Sequence, residues 1–88
     1  MALVLGVAVG DVIDIADQWI AIISVDTQKT ATVIGKDGDK YTISSIYETE
    51  VMPSVWVQLG PEPARSRLRL QFEAPKSIAI TRRPPRPS

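Results

Sequence analysis

Residues 67–73 read Arg-Leu-Arg-Leu-Gln-Phe-Glu, an alternation of polar and apolar side chains that suits an extended strand with one wet and one buried face. A helix would scatter Leu68, Leu70 and Phe72 around its circumference. The same period of two recurs along the chain on β-branched residues, and no window holds a helical period, so the sequence predicts an all-β fold. The expected strands are Leu3 to Val7, Val12 to Ile15, Trp19 to Val25, Thr30 to Ile34, Lys40 to Ser44, Val55 to Leu59, Leu68 to Glu73 and Ser77 to Thr81. Gly35-Lys36-Asp37-Gly38-Asp39 reads as a hairpin turn, because an Asp-Gly pair adopts left-handed conformations readily. Ala31, Val33, Tyr41 and Ile43 would then share one face. Pro53, Pro61 and Pro63 lack backbone donors and mark loops or edges. Arg83-Pro84-Pro85-Arg86-Pro87-Ser88 cannot be helical and is expected to be an extended, flexible tail.

A chain of 88 residues, 44% of them hydrophobic, suffices for one small domain. Domains of that size are marginally stable alone, and dimerisation relieves the limit. With neither cysteine nor histidine, disulfides and the usual zinc and iron sites are excluded, and no cofactor is expected. No apolar run reaches the roughly 18–20 residues that span a bilayer. Met1 to Val9 lacks the basic start of a secretory signal, so a cytoplasmic location is expected.

Charge is balanced in total but not along the chain. Up to Glu62, three basic residues (Lys29, Lys36 and Lys40) stand against nine acidic ones; from Pro63 onward seven basic residues are opposed by Glu73 alone. Such a separation can give a neutral protein a positive face, the form in which a phosphate-binding surface shows in sequence. The plainer alternative is solvated charge pairing with the acidic half.

Two blocks of the chain carry a family likeness. Arg67 to Arg82, RLRLQFEAPKSIAITR, joins an alternating strand, an Ala-Pro-Lys turn and a last strand ending on arginine. Leu3 to Ile22, LVLGVAVGDVIDIADQWIAI, joins an apolar first strand, a Val-Gly-acid turn and two short apolar strands. In this order they resemble the carbon storage regulator family, small dimeric RNA-binding proteins that control translation in bacteria. The resemblance implies a small interlocked, strand-exchanged β-sheet dimer: a single all-β domain over residues 1–82, with family-like blocks 1–25 and 67–82, an inserted β-hairpin or small sheet at about 26–66, and the tail 83–88. The family's last strand is followed by a helix, which the prolines of this tail replace.

In that family, each first strand lies beside the last strand of the other subunit, and the paired edges form two RNA sites. The resemblance therefore implies an RNA-binding site at Leu5, Gly6, Ile80, Thr81, Arg82 and Arg83. The family's first-strand leucine falls on Leu5. The polar residue and two arginines that follow it there are Gly6, Val7 and Ala8 here. The last-strand arginine is kept as Arg82, and the turn as Ala74, Pro75 and Lys76. An arginine suits this role because its planar fork of donors pairs with phosphate or with guanine's acceptor edge at any cellular pH, while strand-edge backbone groups read unstacked loop bases.

Two further groups have competing readings. Arg65, Arg67 and Arg69 share one side of their strand, either as an ordinary wet face or as a basic stripe replacing the charge missing at Val7 and Ala8. Tyr41, Tyr47 and Trp56 could stack on bases, but packing is the stronger expectation, since Val55, Val57 and Leu59 surround the tryptophan. An enzyme is not expected. Ser44 and Ser45 have no base, and Asp11, Asp14 and Asp17 read as turn residues rather than an acid–base pair. The expected function is RNA binding, to single-stranded or hairpin-loop RNA, that modulates translation or mRNA stability as a homodimer. The alternatives are a protein-interaction module or antagonist that associates with a true family member, and a structural assembly protein.

Overall fold

Short alternating segments punctuated by glycine, proline and Asp-Gly favour strands joined by turns. A computed structural model describes residues 2–64 and 66–83 as nine strands. These are β1 (Ala2–Val7), β2 (Val12–Ile15), β3 (Gln18–Thr27), β4 (Thr30–Gly35), β5 (Lys40–Ser44), β6 (Thr49–Met52), β7 (Val55–Leu59), β8 (Leu68–Glu73) and β9 (Ile80–Arg82). Met1, Arg65 and Pro84–Ser88, and with them most of the expected tail, lie outside the described residues. The all-β expectation holds. No described helix is long and apolar enough to cross a membrane.

The strands form two antiparallel sheets, β1-β8-β7-β6 and β5-β4-β3-β2-β9. Alternation puts Ile13, Ile15, Ile20, Ile22, Val33 and Ile43 on the inner face of one, opposite Val55, Val57, Leu59, Leu68, Leu70 and Phe72 of the other, all 2% exposed or less. Because β1 turns directly into β2 through residues 8–11, the two strands run in opposite senses. β9 is antiparallel to β2, so β9 and β1 run the same way. The sheets thus meet along two lines: β5 passes into β6 on one side, and the edges of β1 and β9 face one another across a seam on the other. The turns at 16–17, 36–39, 53–54 and 74–79 gather at one end of the two sheets, where the Ala16 amide bonds to the Ala79 carbonyl at 2.9 Å.

The segment of residues 28–66 runs through both sheets. It supplies β4, β5, β6 and β7, and β4 and β7 are interior strands of the two sheets. Its hairpin at Gly35–Asp39 closes as the sequence predicts, with Gly38 at φ 89° and Ala31 and Val33 paired with Ile43 and Tyr41. β6 is an additional strand, and β9 starts at Ile80 rather than Ser77, because the Ala-Pro-Lys turn extends to Ile78, whose amide reaches the Pro75 carbonyl at 3.0 Å.

Candidate nucleic-acid interface

The seam takes its shape from the turn that ends β1. Gly10 adopts φ 100°, a conformation that glycine tolerates best, and the Asp11 carboxylate accepts the Ala8 amide at 2.9 Å. Val7 is thereby turned into the core at 5% exposure, while Gly6 stays exposed on the edge. The Gly6 carbonyl points into the seam and accepts a hydrogen bond from Arg82 Nη1 at 3.1 Å. In an antiparallel strand the N–H and C=O of one residue point the same way, as do those of every second residue. Val4 therefore presents its backbone groups to the seam as Gly6 does. Among the described residues no strand pairs with this outer edge of β1.

Gly6, Val7, Ala8 and Arg82 line a recess of about 390 Å³ together with Asp11, Ser66, Arg67, Leu68 and Arg69. Arg69 is exposed on the outer face of β8 and Arg67 is exposed just before it, bridged to Ala64, while Leu68, Leu70 and Phe72 are buried. Arg69 sits opposite Gly6 in the β1–β8 register. Its backbone is held from the other side by Gly60, whose amide donates to the Arg69 carbonyl at 2.8 Å. Three guanidinium groups thus surround one strand edge, with Asp11 the acidic group on the same recess. Arg67 and Arg69 line the same recess as Val7 and Ala8. Arg65 is not among the described residues.

The six residues of the sequence-derived site are drawn together unequally. Leu5 is half-buried and packs against the core, and Ile80 is 8% exposed, so each offers a seam ligand little beyond its backbone. Thr81 and Arg82 are exposed. Arg83 is also exposed, but its side chain is engaged: Nε and Nη2 reach the two carboxylate oxygens of Asp14 at 3.2 and 2.6 Å. That forked bond, and secondarily the charge of Arg83, hold the Asp14 carboxyl below its ordinary range and raise the arginine further. The first and last strands are edges of different sheets, joined by the Arg82–Gly6 hydrogen bond.

The expectation that the aromatic residues pack is corrected at two positions. Tyr41 is half-buried against the core, but Tyr47 is 58% and Trp56 40% exposed. The cause at Trp56 is strand parity, since Val55, Val57 and Leu59 take the inward positions of β7. Trp56 faces away from the seam, beside Glu73, Ala74 and Pro75. No group of three or more possible metal ligands occurs among the described residues. No family model, curated protein or solved structure matches this chain.

Proposed function

We propose that this chain is an RNA-binding post-transcriptional regulator that holds single-stranded or hairpin-loop RNA along the β1–β9 seam and so modulates translation or mRNA stability. The observation that carries this reading is the placement of Arg82, Arg67 and Arg69 around the exposed edge at Gly6. Guanidinium groups bind phosphate and position the strand; backbone groups of the β1 edge and the remaining donors of Arg82 contact bases splayed out of a loop. Gly6 has nothing within 4 Å of where a Cβ would stand, so a base can approach the backbone there. A domain of 88 residues is marginally stable alone, and the working form is a homodimer whose interface leaves the β1–β9 seam open.

A fluorescence anisotropy titration with a short RNA hairpin carrying GGA in its loop, at two salt concentrations, tests this reading. Saturable binding that weakens with salt supports it. Absence of binding at low salt overturns it in favour of a protein-interaction module, for which the exposed Ile46 and Tyr47, 68% and 58% accessible, are the natural contact.

A further inference from the structure

A second recess, of about 250 Å³, lies at the end of the two sheets away from the recess at Gly6 and Ala8, among the turns at 36–39 and 53–54. Trp19, Tyr41, Met52 and Pro53 form its apolar walls, and Asp37 and Asp39 stand at its rim. Gly35, opposite Ile20 in the β3–β4 register, contributes no side chain, so bare backbone floors the space beside the two aromatic rings. The carboxylates make no ion pair among the described residues. Lys36 also borders the recess, with its ammonium 3.4 Å from the Asp17 carbonyl.

We propose that this recess binds the Pro-Pro-Arg-Pro segment, residues 84–87, of a second copy of the chain. An aromatic-walled groove with an acidic rim is the complement of a proline-rich strand bearing arginine. The pyrrolidine rings stack on the aromatic faces, with little ordering cost because the polyproline conformation is already favoured, and the arginine pairs with the carboxylates. The segment's composition matches this on both counts.

The chain's own tail does not reach. Arg83 is held beside Val12, where its amide bonds to the Val12 carbonyl at 2.8 Å, at the end of β2 opposite the recess. The five residues beyond it span roughly 15 Å in polyproline form. The return path runs about 13 Å along the four residues of β2 and crosses three strand spacings of about 4.8 Å, from β9 to β4. Nothing of the tail would remain to fill the site.

The test uses full-length chains. A ¹⁵N-labelled Pro84→Ala/Pro85→Ala/Arg86→Ala chain, with an intact recess, is mixed with unlabelled natural chain. The Trp19 indole and the amides of Gly35 to Asp39 should shift saturably, and should not shift with unlabelled triple variant. Asp37→Lys/Asp39→Lys in the labelled chain, at exposed turn positions that leave the core intact, should weaken the interaction about five-fold, as two lost surface ion pairs would. Equal shifts with both unlabelled chains, no shift, or shifts confined to Gly6 and Arg82 would each overturn the proposal. RNA titration of the Asp37→Lys/Asp39→Lys chain reports on the seam separately.

Discussion

Arg82 Nη1 donates to the Gly6 carbonyl at 3.1 Å, so the last strand reaches the first across a span of 76 residues. The bond closes a seam that no backbone ladder closes among the described residues, and it leaves the other guanidinium donors available to a ligand. The same two residues, supplied by opposite ends of one sequence, are the edge and the cation on which the proposed RNA site rests.

Gly60 fixes the height of the basic stripe. A Cβ there would stand 3.0 Å from Arg69 Cβ and 3.2 Å from the Arg69 carbonyl oxygen, which already accepts the Gly60 amide. Since a backbone atom cannot yield as a side-chain tip does, Gly60→Ala is expected to destabilise the fold by about 1 kcal/mol, within the range for overpacking. Chemical denaturation measures this, and amide shifts at Arg69 and Gly6 should change with it.

Acid stability should depend on Asp14. Its carboxyl titrates below the ordinary aspartate value of 3.8 because Arg83 bonds to and attracts the charged form. A depressed folded value means the pair stabilises the fold above the unfolded value, and that contribution is lost as pH falls through the folded one. Asp26, held low first by Thr32 and then by Ser24, adds the same sign. Both sites are solvent-exposed, so the effect is small. In urea melts, Asp14→Asn should be less stable than the natural chain near neutral pH, with the difference shrinking to zero below the folded value.

The β2–β3 turn holds Ala16 at φ 55°, a left-handed conformation unfavourable for a residue with a Cβ. Ala16 is exposed, so nothing is lost by removing its methyl group. Ala16→Gly should stabilise the protein by about 0.5–1 kcal/mol, the relief of strain exceeding the greater freedom of glycine in the unfolded chain. A lower melting temperature for the variant would contradict that description of the turn.

Sedimentation equilibrium at micromolar concentration should give twice the chain mass if the proposed homodimer forms, since a domain of 88 residues is marginally stable alone. A stable folded monomer would leave the seam to work within a single chain.

The strands were legible wherever alternation was clean. Leu68 to Glu73 and the Asp37-Gly38 hairpin appear in the structure as the residues predict. β6 was not legible, because Thr49-Glu50-Val51-Met52 is short, half polar and followed by proline, and its place depends on pairing with β7. β3 departs from simple alternation through register shifts between Ile22 and Ser24 and between Val25 and Thr27, which leave Ile23 exposed. At the site, Arg82 and Gly6 could be named from the ends of the chain. That Arg67 and Arg69 share their recess follows only from the β1–β8 register, and that Arg83 is taken by Asp14 follows from the β2–β9 pairing, neither of which local pattern encodes.

The most direct test of the RNA-binding account is the affinity of the Arg82→Ala chain for the GGA-loop hairpin as a function of salt. The account predicts a loss of about 1–3 kcal/mol relative to the natural chain, the cost of a forked base or phosphate contact. Arg67→Ala, on the same recess, should instead lower the salt slope with a smaller loss at high salt, as a phosphate contact does. Unchanged affinity on Arg82→Ala, or no RNA bound at low salt by the natural chain, would contradict it.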